Sequence, residues 1–420
     1  MGKTIIEKIL AKASKEKKVC AGDRVWASID LVSIRDFGGV NAVLEYEENF
    51  GNRKIFDKNK FVITFDLYAP PRDEKVAKNQ KICKEFLKKQ GGRLFDVDCG
   101  IGAHVLLESG LVKPWDIVLG TDSHMNLLGA ICAFGSGVGA TDLTAALAYG
   151  KLWFRVPETH KYIIKGDFAK GIGEKDLILK ILKEKKTDGA IYKAIEFYGD
   201  VINKMNLSKR ITLTSMVTEL SGKIGFIEPN EEIIDELGKR GVVGKSRIFA
   251  DADANYEKEE KFSVPDEPLI ACPHSPDNVK PVSEVEGLEI DQVFIGSCTN
   301  GRYEDMEAAA KILKKRKIKN GIRLIIVPAT KEVAINCIQN GLYETFIKAG
   351  AIIGNPSCAL CTIGHPGVLA PGERMVSTSN RNFPDKIGKG GEIYLASPLT
   401  AAASAIRGAI ADPREFLEGI

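Results

Sequence analysis

Short, nearly unbroken apolar runs alternate with amphipathic stretches along the carboxyl-terminal third of the chain. The runs at 293–295, 322–327, 351–353 and 393–396 predict strands. The segments 303–313, 331–338 and 399–409 read as helices, 303–313 as an amphipathic one. Strands that are apolar on both faces and separated by helices mean a parallel sheet covered on both sides. The expected fold class is therefore α/β, with one such unit over 287–420. Ahead of it the pattern is less regular. Strands are predicted at 61–65 and 116–119 and helices at 143–152 and 188–197. The charged stretch 251–268 reads as a loop. The string Gly135-Ser136-Gly137-Val138-Gly139 looks superficially like a dinucleotide-binding loop. No clear strand leads into it, and no acidic partner stands about 20 residues on. Close packing or a turn is the expectation there.

Composition narrows the class. A chain of 420 residues predicts about two to four domains. A net charge of +3 over that length gives no reason to expect nucleic-acid binding. The most basic run, Lys314 to Lys317, closes a predicted helix, where cations suit the carbonyl end. No window approaches the roughly 18 apolar residues of a membrane span. The amino terminus mixes charges into its apolar residues, unlike a signal peptide. Nine scattered cysteines suit a reducing compartment. The expectation is a cytoplasmic protein with no membrane and no nucleic-acid partner.

Three cysteines stand in distinctive strings. Cys298 lies in Gly-Ser-Cys-Thr-Asn-Gly-Arg (296–302), and Cys358 and Cys361 form a C-x-x-C in Pro-Ser-Cys-Ala-Leu-Cys (356–361). Each string follows a short apolar run, as loops at the carboxyl ends of parallel strands do, where α/β sheets bind ligands. A lone C-x-x-C also suits a redox pair or half of a zinc site. Three thiolates are one short of a closed zinc or iron–sulfur site. On a four-iron cluster they would leave one iron open as a Lewis acid.

At these residues the chain resembles the large subunit of the aconitase-type hydro-lyases. That group includes 3-isopropylmalate dehydratase, homoaconitase and 2,3-dimethylmalate dehydratase. The two cysteine strings carry the resemblance, with Gly-Val-Leu-Ala-Pro-Gly-Glu (367–373), Val-Ser-Thr-Ser-Asn-Arg-Asn-Phe (376–383) and Gly-Thr-Asp-Ser-His (120–124). The amino-terminal Lys-Thr-Ile-Ile-Glu-Lys-Ile-Leu (3–10) extends it over essentially the whole chain. The resemblance implies three α/β/α domains around a shared iron–sulfur site, placed at 1–155, 156–286 and 287–420. It implies a [4Fe-4S] cluster with one open iron, held by Cys298, Cys358 and Cys361. It also implies a separate small subunit that carries the swivelling domain and, as a serine, the base that takes the carbon-bound proton.

The same resemblance distributes the other roles. Asn300 and Asn380 are cluster neighbours. Asp66, His104, Asp122, His124 and Glu219 are the acid–base and iron-side residues, with Asp66 orienting a histidine. Ser123, Arg381, Lys386 and Arg35 hold substrate; an arginine offers a two-point grip on a carboxylate. His365, four residues past Cys361, is near the site by position alone. Three departures stand out: Leu67 where the family has histidine, Arg35 where it has histidine or glutamine, and Lys386 where it has arginine. The cluster cysteines are intact, so the departures bear on the substrate. The implied reaction is dehydration and rehydration of a hydroxy-dicarboxylic acid, of the 3-isopropylmalate type first. Homocitrate, citramalate and dimethylmalate are alternatives. A non-catalytic iron–sulfur paralogue is the reading from another class.

Overall fold

The computed structural model describes residues 2–242, 247–363 and 365–417. The chain divides into two compact units, Met1–Val97 with Gly102–Lys165 and Asp188–Phe262, and Asp98–Ile101 with Gly166–Thr187 and Ser263–Ile420.

The first unit is built on a five-stranded parallel sheet in the spatial order Arg93–Phe95, Phe61–Thr64, Leu31–Arg35, Ile117–Gly120, Phe134–Gly137. The three central strands are buried along their whole length, as a sheet covered on both faces requires. Helices pack on it. Glu74–Gln90 starts where the Asp73 carboxylate accepts the Val76 N–H and stops at Gly91, a capped start and a glycine stop. A second sheet has the order Ile224–Phe226, Ala194–Tyr198, Thr159–Lys165, Lys258–Ser263. A two-stranded antiparallel ribbon pairs Arg24–Ser28 with Lys151–Arg155.

The second unit carries a seven-stranded mixed sheet. Its core is parallel: Glu392–Leu395, Arg374–Ser377, Gln292–Ile295, Arg323–Ile326 and Ile352–Ile353 lie side by side in that order. Leu269–Ala271 and Val279–Pro281 extend one edge in antiparallel sense. Helix Tyr303–Leu313 buries Met306, Ala309, Ala310 and Leu313, the three- and four-residue spacing of a single face.

The alternation expected over 287–420 is present with ends shifted by one or two residues. Four expectations for the first unit are corrected. Residues 188–197 hold no helix: turns occupy 188–192 and a strand runs Ala194–Tyr198. The helix expected at 143–152 covers Ala140–Tyr149, then Gly150 turns the chain at φ 67° into the strand Lys151–Arg155. The stretch 251–268 contains the edge strand Lys258–Ser263. A strand, Phe134–Gly137, does lead into the glycine-rich string, and a helix follows it at Ala140. Close packing is also present: a Cβ on Gly135 would meet Met125 O at 2.0 Å, and one on Gly137 would meet Asp122 O at 2.6 Å.

Candidate active site

In the first unit three neighbouring parallel strands end on charged residues. Arg35 closes Leu31–Arg35, Asp66 follows Phe61–Thr64, and Asp122 follows Ile117–Gly120. The three side chains meet. Arg35 Nε lies 2.8 Å from Asp66 Oδ1 and Arg35 Nη1 lies 3.0 Å from Asp122 Oδ2. All three are buried, so the guanidinium compensates two carboxylates that burial alone would not keep charged. Burial pushes the Asp122 carboxyl up, but Arg35 and then the His124 hydrogen bonds outweigh it and hold the group well below the ordinary carboxylate range. Asp66 also accepts the N–H of Gly102 at 2.8 Å, at the start of the helix Gly102–Glu108 that carries the fully buried His104.

Asp122 caps its own loop by accepting the His124 N–H at 3.0 Å. The His124 ring then faces Glu219, with Nε2 2.9 Å from Oε1. Asp66, Asp122, His124, Glu219 and Arg35 thus form one connected chain of charges. Ser123 is exposed beside it. Leu67, where a histidine was expected from the resemblance, is buried apolar packing whose N–H donates to Asp36.

In the second unit Cys298, Cys358 and Cys361 come together at the carboxyl ends of parallel strands. Their sulfurs all lie within 4.8 Å of one another, with 3.4 Å between those of Cys358 and Cys361. Ser297, immediately before Cys298, holds a left-handed backbone at φ 79°, a strained conformation that gathers at ligand sites. The neighbouring thiols, and then burial, push the Cys298 thiol well above its ordinary range. Three negative sulfurs in one buried place repel, so they ionise together only around a cation. The donor set therefore fits a metal-containing group.

Asn380 sends its amide to Cys298 Sγ at 3.2 Å. Asn300 instead donates to Asp305 Oδ1 at 2.9 Å, at the start of helix Tyr303–Leu313. Arg381 is half-buried, and the Lys386 ammonium donates to its carbonyl at 2.9 Å. His365 Nδ1 lies 2.9 Å from the Pro366 carbonyl. Two residues missed from the sequence support this loop. Thr378 Oγ1 both accepts from Gly296 N and donates to Gly296 O, tying the loop to the string that carries Cys298. Lys175, fully buried, donates to the carbonyls of Thr378 at 3.1 Å and Ser379 at 2.7 Å. Lysine on an amphipathic helix ordinarily reads as solvated, so no signal marked Lys175.

The sequence matches the aconitase family (aconitate hydratase) over residues 7–287 and 278–408. The chain belongs to the aconitase family. It is 47% identical to the 3-isopropylmalate dehydratase large subunit 1 of Methanopyrus kandleri, over 99% of this chain and 100% of that one. It is 43% identical to the probable methanogen homoaconitase large subunit of Methanosarcina mazei, over 93% of this chain and 100% of that one. In fold it resembles Thermococcus kodakaraensis aconitase X, with a TM-score of 0.52 at 14% identity, covering 90% of this chain and 89% of that one. The chain is thus a hydro-lyase of this family, with the α/β fold expected from its sequence. Family membership implies an iron–sulfur cluster, and the large-subunit names imply a small-subunit partner. Among the described residues no helix is long and apolar enough to cross a membrane.

Proposed function

We propose that the chain is the large subunit of a 3-isopropylmalate dehydratase-type enzyme. What carries the reading is the gathering of the Cys298, Cys358 and Cys361 sulfurs within 4.8 Å, together with near-full-length similarity to a protein of that name. The three cysteines hold a [4Fe-4S] cluster with one open iron. That cluster, when bound, supplies a Lewis acid for the substrate's hydroxyl and one carboxylate. Asn300 and Asn380 flank it, the latter as a donor to sulfur.

Arg381 and Lys386 grip a second carboxylate, and Ser123 adds a hydroxyl. Asp122, kept ionised by Arg35, orients His124. His124 and Glu219 move the proton of the departing hydroxyl, a role for a positioned acid–base pair. Asp66 fixes Arg35 and the start of the helix that carries His104. The base for the carbon-bound proton comes from a small subunit with the swivelling domain. The chain works in the cytoplasm, and its residues divide into aconitase-like domains at 1–155, 156–286 and 287–420.

The test is anaerobic. The chain is reconstituted with iron and sulfide, combined with its small subunit, and offered isopropylmalate, citramalate, dimethylmalate and homocitrate. Absorbance of the unsaturated product reports turnover. Preference for isopropylmalate bears the reading out. Preference for homocitrate moves the substrate to the homoaconitase type. A bound cluster with no turnover of any of the four overturns the reading.

A further inference from the structure

The glycine-rich string has a use that the acid–base chain leaves unassigned. A cavity of about 340 Å³ opens in the first unit where the strands Ile117–Gly120 and Phe134–Gly137 end. Thr121, Ser123, Asn126, Ser136, Thr218 and Lys223 line it, with the backbone of Gly137 to Gly139. Gly139 begins the ten-residue helix Ala140–Tyr149 without any side-chain cap, and a Cβ there would meet nothing within 4 Å. The first N–H groups of that helix therefore have no partner within the helix and none from its capping residue.

Two side chains point to a ligand independently of the helix end. Asn126 is only 3% exposed, and among the described residues its amide makes no hydrogen bond. The amide lines the cavity with its hydrogen-bonding capacity unused, and a ligand there would use it. Lys223 makes no ion pair among the described residues. Its ammonium lies over the rings of Phe154 at 5.9 Å and Tyr192 at 5.6 Å. Burial pulls the Lys223 pKa down, and Asp142, in the first turn of the helix, offsets this only in part.

Hydroxyls complete the lining, although those of Ser136 and Thr218 already donate to the carbonyls of Gly137 and Ser123. Thr121 Oγ1 accepts from the Arg35 N–H at 3.0 Å, which leaves its own proton to give. The cavity presents one cation, one planar amide and hydroxyls beside the turn Gly137–Gly139. Together these suit an anion. A single ammonium with the carboxylate of Asp142 nearby suits one negative charge better than two.

We propose that this cavity is a binding site for one carboxylate, held by the Lys223 ammonium and the Asn126 amide beside the Gly137–Gly139 turn. The carboxylate has two possible sources, the remote end of the hydroxy acid or a separate small carboxylate. The binding itself does not rest on the hydro-lyase reading.

The probe is ¹³C-labelled acetate, titrated into the full chain and followed by NMR. Lys223→Gln is expected to weaken acetate about ten- to a hundred-fold, the usual range for losing a charge-assisted contact. Lys223→Arg should restore most of it, and Asn126→Leu should weaken it with Lys223 intact, which keeps the test open if one variant misfolds. Unchanged acetate binding in Lys223→Gln or in Asn126→Leu overturns the site, and so does inorganic phosphate binding as tightly as acetate. In the assembled enzyme, a raised KM with kcat held in Lys223→Gln assigns the carboxylate to the substrate. An unchanged KM with acetate binding lost assigns it to a separate molecule.

Discussion

His124 Nε2 sits 2.9 Å from Glu219 Oε1, although 95 positions separate the two residues. A buried imidazole between that carboxylate and Asp122 has one charged neighbour on each side. Such a pair can exchange a proton without large movement.

The pair therefore makes a kinetic prediction. Glu219→Gln keeps a hydrogen-bond partner for the ring but removes the charge. In the assembled enzyme kcat should fall about 10²- to 10⁴-fold, with little change in the thermal midpoint. An unchanged kcat would take Glu219 out of the proton path.

Arg35 makes a stability prediction. Its guanidinium lies between Asp66 and Asp122, and all three are buried. Arg35→Leu strands two buried carboxylates, and urea unfolding should show a loss of about 3–5 kcal/mol. Adding Asp66→Asn and Asp122→Asn to that variant should recover much of the loss. Asp122 is held below the ordinary carboxylate range, so its contribution is present above that range and is lost as the pH falls through its lowered pKa. In Arg35→Leu the stranded carboxylates take up protons at higher pH than in the wild type, so the stability lost relative to the wild type should shrink as the pH falls toward the carboxylate range. Superimposable curves would remove the guanidinium as the cause.

Cys361→Ser tests the metal centre. Two sulfurs cannot replace three, so iron and sulfide content after reconstitution should fall to background. Iron content equal to that of the wild type would remove Cys361 from the ligand set.

A further pH effect involves neither the Arg35 charge network nor the cysteines. His160 Nε2 lies 2.8 Å from Glu257 Oε2, while the buried His160 Nδ1 has no partner. Burial lowers its pKa, against the pull of Glu257. Stability from a histidine lowered in this way is present above the unfolded value, about 6.5, and is lost as the pH falls through the lowered one. His160→Gln should flatten the thermal midpoint between neutral and mildly acidic pH. A midpoint as acid-sensitive as that of the wild type would count against it.

Much of this was legible in the sequence where local pattern and chemistry agree. The cysteine strings and the strand–helix alternation after residue 287 are of that kind. Residues 188–197 misled because Ala190, Ile191, Ala194 and Ile195 have helical spacing, whereas Ala194–Tyr198 is a strand whose residues are mostly buried in a parallel sheet. The strand Lys258–Ser263 escaped because a charged edge strand lacks an apolar run. Arg35 read as a departure that added positive charge. Its partners, Asp66 and Asp122, are 31 and 87 positions away, and no local pattern links them. No local pattern links Lys175 to Thr378 and Ser379 either.

Lys175 has a consequence for anyone who would move this centre elsewhere. Its ammonium lies under the carbonyls of Thr378 and Ser379, and the next residue along is Asn380, whose amide meets Cys298. The direction of that amide is thus set in part by a charge more than 200 positions upstream. A graft of the 377–381 segment into a new scaffold would carry the asparagine but not its aim. The portable unit is the loop with a buried cation beneath it.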